Sequence, residues 1–369
     1  MMNNKRKNRL LLALALVILA LLGILVSRPS TSTLRQKASQ FAVTDTAGIT
    51  RIFLADKEGR TILLEKEPIQ GWRLNGTHTA RAQAVDQLLS TLLRMAVSSP
   101  VPMEAHNSVI ARLAATGVKV EVYEQSYRLR LGQILRLFPY EKRVRTFYVG
   151  DNTQDNMGTF MLMEGADRPY IIYIPGFRGF ISTRFSTMEN DWRDHTIFAN
   201  NVLDIASVKL EVNGHPEQSY TIENVDNRRF NIIPHDPELN LPAIDSMRIL
   251  TYLTTFSDIK FEVLLNERDS AFIDSVRYSP YLYRITVTDR QGNENTVVTH
   301  RRMLQEEEEF DLEGFPVFYD RDRMYAFVND GRDFVLVQFF VFDRVTRPVA
   351  WFFEGTPLPE EGSYIYELP

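Results

Sequence analysis

Residues 49–74 read ITRIFLADKEGRTILLEKEPIQGWRL, and this stretch sets the fold class. Ile49–Leu54 and Thr61–Lys66 are runs of aliphatic and β-branched residues separated by Asp56-Lys57-Glu58-Gly59. Gly71-Trp72-Arg73-Leu74 supplies a third short run. Short apolar runs divided by Asp- and Gly-containing turns are what an antiparallel meander requires, so three strands are expected here. Downstream, Thr79 is expected to cap a helix from Ala80 to about Ala96, in which Val85, Leu88, Leu89, Leu92 and Leu93 recur at helical spacing. An extended piece follows at Val97–Met103, then a helix from Glu104 to Ala115 closed by Gly117. Strands are expected at Val118–Tyr123, Thr146–Val149, Phe160–Met163 and Tyr170–Ile174.

The same order restarts at Ile205-Ala206-Ser207-Val208-Lys209-Leu210. A Val212-Asn213-Gly214 turn and runs at Ser219–Glu223 and Arg229–Ile233 follow. A helix begun by Pro242 is expected to carry Ile244, Met247, Leu250, Leu253 and Phe256 on one face. Then come a strand at Ile259–Leu264, a helix over Glu267–Tyr278 and a strand at Tyr283–Thr288. The last hairpin, Met324–Val328 with Phe334–Phe340, aligns with Thr159–Met163 and Tyr170–Pro175 at one offset of 165 residues, Thr159 matching Met324. The expected fold is therefore α+β, with two similar, duplicated modules of mostly antiparallel sheet and helices on one face of each. The modules are expected at 41–175 and 205–345, with a bridge at 176–204 and a tail at 346–369. Trp351-Phe352-Phe353 should pack part of that tail onto the second module.

Several stretches carry a family resemblance: Arg60–Lys66 with Gly71-Trp72-Arg73-Leu74-Asn75; Ala80–Leu89; Tyr148-Val149-Gly150 with Thr153-Gln154-Asp155 and Gly158-Thr159; Ile174-Pro175-Gly176-Phe177; and Asp191-Trp192-Arg193-Asp194 with Ile197-Phe198. Over about residues 40–200 the chain resembles the bacterial DUF4340 domain family. The resemblance implies one N-terminal membrane anchor. It also implies an accessory role, since some members are encoded beside ABC-type transport or gliding-related membrane proteins. It brings no catalytic residues with it.

The N-terminal sequence agrees with an anchor. Leu10 to Val26 is an unbroken apolar run, and the nine residues before it carry Lys5, Arg6, Lys7 and Arg9. A helix of that length spans roughly 26 Å at about 1.5 Å per residue, enough for a bilayer core with some snorkelling. The basic flank keeps residues 1–9 in the cytoplasm and exports the rest, so the lipid bilayer is the partner of residues 10–26. The run exceeds the usual signal-peptide core and no Ala-x-Ala site follows it, so an uncleaved signal anchor is expected over a cleaved signal peptide. Residues 27–40 then form a tether. The implied location is the bacterial inner membrane, single-pass, with residues from 27 onward periplasmic.

Composition narrows the chemistry. The 369-residue chain has 44% hydrophobic residues, which supports packed cores, and it has no Cys. Disulfides, thiolate catalysis and Cys-based metal sites are thereby excluded. Leaving out the four basic residues of the cytoplasmic tail, 38 Lys and Arg face 47 Asp and Glu. That acidic balance argues against nucleic acid or an anionic lipid surface as a partner of the exported part as a whole.

Four segments invite a functional reading. Gly150–Gly158 gathers Asp151, Asn152 and Asp155, oxygen donors that a hard cation would use. Their spacing is not that of an EF-hand, and turns need the same residues, so a structural or interaction loop is expected. Asp191-Trp192-Arg193-Asp194-His195 could suggest acid–base chemistry, but no Gly-x-Ser-x-Gly accompanies it. An Arg/Asp network fixing the bridge between the modules, with Trp192 buried, is expected instead. Arg128–Arg145 is rich in basic residues interleaved with Phe138 and Tyr140, the pattern of a lipid-headgroup or nucleic-acid patch; an exported acidic protein disfavours nucleic acid, and an exposed hairpin is expected. Glu306–Glu309 reads as a solvated loop. The six His are scattered without metal-ligand spacing, and no phosphate-binding Gly-rich loop occurs.

No residue is therefore assigned to catalysis, to a cofactor or to a metal. The expected function is a non-catalytic, inner-membrane-anchored accessory subunit or scaffold that binds protein partners of an envelope or transport complex. The competing reading is a glycan- or lipid-binding protein working through a groove between the modules.

Overall fold

The computed structural model describes residues 40–68, 71–131, 135–238, 242–304 and 318–355, together with Val17 in isolation. The anchor Leu10–Val26 apart from Val17, the basic tail 1–9, nearly all of the tether, Glu306–Glu309 and the end of the tail lie outside the described residues. Among the described residues no helix is long and apolar enough to cross a membrane. The chain divides into two compact units, the first ending at Trp192 and the second starting at Arg193. Residues 176–204 are shared between them: helical turns at Ser182–Phe185 and Glu189–Trp192 fall in the first, and Thr196–Phe198 in the second.

The first unit is built on the quoted meander. Strands β1 (Ile49–Ala55), β2 (Thr61–Glu67), β3 (Gly71–Leu74) and β4 (His78–Thr79) lead to helix α1 (Ala82–Arg94), β5 (Ala96–Pro100) and helix α2 (Met103–Thr116). Strands β6 (Val118–Leu131), β7 (Leu135–Asn152), β8 (Thr159–Met163) and β9 (Tyr170–Tyr173) follow. They form one antiparallel nine-stranded sheet in the order β4-β3-β2-β1-β6-β7-β8-β9-β5. Alternation on β1 and β2 sends Ile52, Leu54, Ile62 and Leu64 to one face, where Val85, Leu88 and Leu92 of α1 cover them. All seven are essentially inaccessible, and burying each such side chain contributes about 1.5–3 kcal/mol.

The expectation that the helices share one face is corrected here. Helix α2 lies on the opposite face, where Val109 and Leu113 pack with Tyr148, Phe160, Leu162 and Ile171. The reason is topological. Strand β5 sits at the far edge beside β9, so α1 carries the chain there across one face, and α2 returns it to the centre across the other. Close approach explains two glycines. A Cβ on Gly150, in β7 beneath α2, would meet Leu113 Cδ2 at 2.7 Å. A Cβ on Gly117 would lie 2.3 Å from the Leu113 carbonyl oxygen, and its φ of −65° shows that a left-handed cap is not what selects it.

The second unit opens with β10 (Thr196–Phe198), β11 (Ile205–Val212), β12 (Tyr220–Asn224) and β13 (Phe230–Pro234), then helix α3 (Ser246–Thr255). Next come β14 (Ile259–Lys260), β15 (Val263–Leu264), helix α4 (Ser270–Arg277), β16 (Tyr281–Asp289), β17 (Glu294–Met303), β18 (Tyr319–Val328) and β19 (Asp333–Gln338). Its eight-stranded sheet has the order β13-β12-β11-β16-β17-β18-β19-β15. The expected strand at Ile259–Leu264 is split, β14 pairing with β10 and β15 with β19. Helix α3 starts later than a Pro242 start would have it. Asp245 caps it, its carboxylate accepting from the Met247 and Arg248 amides at 2.9 and 3.2 Å. The aromatic tail packs as expected: Trp351, Phe352 and Phe353 are buried in this unit's core, Phe352 edge-on to Tyr220 and Tyr252.

Strand for strand, the order β3-β2-β1-β6-β7-β8-β9-β5 has the same connections as β13-β12-β11-β16-β17-β18-β19-β15. The register agrees too. Thr159 pairs with Ile172 and Met161 with Tyr170, while Met324 pairs with Val337 and Ala326 with Val335, each residue 165 positions on. A bulge falls between Ile49 and Arg51 on β1 and between Ile205 and Ser207 on β11. In both units the second helix covers the face opposite the first, α4 placing Val276 with Phe327 and Phe334.

Candidate functional site

The units part company in their hairpins. Strands β6 and β7 run 14 and 18 residues. Neighbouring strands flank only their lower halves: β1 reaches Glu124 on one side, and β8 pairs from Phe147 on the other. From Ser126↔Tyr140 through Leu129↔Leu137 to Leu131↔Leu135 the two strands pair, among the described residues, only with each other. The expectation of an exposed hairpin over Arg128–Arg145 holds, and six residues at about 3.3 Å make an arm of roughly 20 Å.

Directly paired residues share a face and alternate residues change face. The register therefore places Leu129 and Leu137 on one side of the arm with Tyr127 and Pro139. Arg128 falls on the other side with Phe138, Ser126 and Tyr140. Large apolar side chains stand in solvent: Phe138 is 66% exposed, Leu129 and Leu137 each 40%. Phe138 also holds a positive φ of 56°, unusual for a bulky residue.

The root of the arm is fixed by charge. Glu121 accepts from Lys119 Nζ at 2.7 Å, Tyr123 Oη at 2.6 Å and Arg143 Nη1 at 3.0 Å. Burial alone would raise its carboxyl, but these donors, Lys119 first, hold it below the usual range. The Arg51 guanidinium sits 4.0 Å over the Tyr123 ring and pairs with Glu141, which also accepts from Thr50 Oγ1 at 2.9 Å. Arg145 donates from Nε and Nη2 to the Ala42 carbonyl at 3.2 and 3.1 Å, tying the root to the point where the chain enters the unit. An open concavity of about 340 Å³ lies there, lined by Thr50, Gln125, Pro139, Tyr140 and Glu141.

The second unit elongates a different hairpin. Strands β17 and β18 continue to Met303↔Tyr319, and the Leu304 amide donates to the Phe318 carbonyl at 3.0 Å. Met303, Phe318 and Tyr319 are exposed. In the first unit the corresponding connection is the compact loop Gly150–Gly158.

That loop uses its own polar groups. Asp155 accepts from Thr153 Oγ1 at 2.6 Å and from the Met157 amide at 3.1 Å, and these bonds lower its carboxyl. Asn152 donates to Asn156, which holds a φ of 56°, and the Thr153 amide donates to the Gly158 carbonyl at 2.9 Å. Asp151 lies 3.9 Å from Arg112. Among the described residues no group of three or more His, Asp or Glu is arranged to hold a metal ion.

Asp191–His195 disperses into separate environments. Trp192 is buried in the first core, its Nε1 donating to the Ser186 carbonyl at 2.8 Å, and Asp191 accepts from Ser186 Oγ. Arg193 is buried and donates to Asp333, which also accepts from Asn329 and, at 2.9 Å, from Asn266. Burial would raise the Asp333 carboxyl; the two amides and the guanidinium lower it. Asp194 accepts from the Thr196 amide and hydroxyl at 3.1 and 2.7 Å, and His195 stacks on Phe261 at 4.4 Å. Asp333, Asn266 and Asn329 escaped the sequence reading, as did the leucines of the arm; the strict alternation from Tyr127 to Leu131 was the signal for the latter.

One family model matches, the Domain of unknown function (DUF4340), over residues 72–274, more than half of the chain. No curated protein and no solved structure matches.

Proposed function

The chain belongs to the DUF4340 family, and on that premise we propose that it is a non-catalytic, membrane-anchored accessory scaffold. In this reading Leu10–Val26 holds the two units at the periplasmic face of the inner membrane. The elongated β17–β18 hairpin of the second unit then engages membrane-protein partners of an envelope or transport complex. One observation carries it: each unit extends one hairpin beyond the eight-strand frame common to both, and there exposes large apolar side chains. Apolar side chains grouped on a projecting element mark a binding surface. The shared strand order and the register coincidence at 165 residues support descent of both units from one duplicated module.

Photo-crosslinking in living cells tests the scaffold reading. A benzoylphenylalanine replacing Phe318 should give discrete adducts with membrane proteins. The same probe at Met247, an exposed position on α3, should give none. Recovery of the protein without adducts from both positions overturns the reading.

A further inference from the structure

We infer that the β6–β7 arm of the first unit docks on a membrane surface bearing anionic phospholipid headgroups. Three observations lead there. First, the arm is amphipathic across its thickness: register puts exposed Leu129 and Leu137 on one face and exposed Arg128 on the other. Standing in solvent, Leu129 and Leu137 have no core to cover them, whereas a bilayer interface takes apolar side chains below and guanidinium groups at headgroup level. Second, charge is concentrated there. Residues 124–145 hold six Arg and Lys against two Glu, while the rest of the chain from residue 10 on holds 32 basic and 45 acidic residues. An anionic surface attracts the arm and repels the remainder, which orients the molecule. Third, chain length allows it. Arg145 ties the root of the arm to Ala42, and only the 14 residues 27–40 separate the apolar run from that point. Fully extended, they reach roughly 46–50 Å, so a surface holding residues 10–26 lies within range of an arm roughly 20 Å long.

The geometry rests on the anchored reading, while the affinity of the arm for lipid does not, and the experiment separates the two. The full-length chain has no Cys, so Leu137→Cys carries a single environment-sensitive fluorophore, and Gln291→Cys, in the β16–β17 turn, is the control. Each is reconstituted in phosphatidylcholine vesicles with or without phosphatidylglycerol. The label at 137 should shift to the blue and be quenched by spin-labelled lipid only when phosphatidylglycerol is present, and raised salt should reverse this. The label at 291 should stay in water. Adding Arg128→Glu and Lys142→Glu, both at exposed positions, should weaken the response more than about tenfold, since each basic residue near an anionic surface is worth about a fivefold change in partitioning. Equal shielding in both lipids, indifference to the two charge reversals, or shielding only with a second membrane protein present would each overturn the inference. Extraction of the unlabelled chain by carbonate instead overturns the anchor while leaving the lipid response of the arm readable.

Discussion

The β6–β7 hairpin of the first unit and the β16–β17 hairpin of the second occupy the same place in the same strand order, yet one is an arm and the other is a tight turn. In the second unit Asp289 closes the turn: its carboxylate accepts from the Gln291 and Asn293 amides at 2.8 Å each and from Asn293 Nδ2 at 2.7 Å. Gly292 supplies the positive φ. Nothing about the sheet demands a longer hairpin, because the flanking strands and the buried rows end at the same level in both units. What differs is the sequence beyond that level. Alternating Leu and Arg continue the ladder into solvent in one unit, and Asp-Arg-Gln-Gly-Asn turns the chain back in the other. The common frame is thus where the buried apolar rows lie, and the departures from it stand in solvent.

Breaking the frame should have the largest effect. Arg193→Ala leaves the Asp333 carboxylate buried without its guanidinium and should cost the second unit about 3–5 kcal/mol. Hydrogen exchange followed by mass spectrometry should show faster exchange across β18 and β19 and little change across β1 and β2. Uniform acceleration in both units would show that they do not unfold separately.

Acid should separate the two units next. Burial pushes the Asp343 carboxyl up to about 6, against an ordinary value of 3.8, with Arg347 opposing. The folded state thus holds that proton more tightly, and the associated stability is complete below about pH 4 and lost as pH rises through 6. Asp56 has the opposite sign. Burial would raise it, but Thr187, Arg60 and backbone amides hold it at about 2, so its contribution is present above pH 4 and lost as pH falls toward 2. Asp343→Asn should therefore stabilise the second unit at pH 7 by about 1–3 kcal/mol and at pH 4 by almost nothing. A denaturant series at the two pH values, read by exchange in α3 and β16, measures this; equal effects at both would refute the buried acid.

The smallest effect is expected from exchanging the hairpins. Replacing residues 125–141 by the turn Asp289–Asn293 removes exposed side chains and a solvated ladder, so stability should change by less than about 1 kcal/mol. The lipid response should vanish. A large loss of stability would show that the arm belongs to the folding frame after all.

Much of the frame could be read from the chain. Alternation in 49–74, the offset between Thr159 and Met324, the burial of Trp192 and the return of Trp351–Phe353 are local signals, and the structure agrees with each. The candidate site was less legible. Basic residues and two aromatics marked Arg128–Arg145, but periodicity describes one strand and cannot say whether a third strand lies beside it. The same gap hid the partner of Arg193, since Asp333 lies 140 positions away and follows an ordinary turn.

Sequence by itself determined the element order, the apolar rows and turns that repeat between the halves, the absence of thiol chemistry and the family. These depend on short-range spacing and on residue type. Only the tertiary structure decided that α1 and α2 cover opposite faces, that Arg193 meets Asp333, and that β6 and β7 outrun their neighbours. An apolar stripe states that a helix must be covered, and an alternating run states that a strand has two sides. Which surface covers the first, and whether anything covers the second, depends on residues brought together from distant parts of the chain.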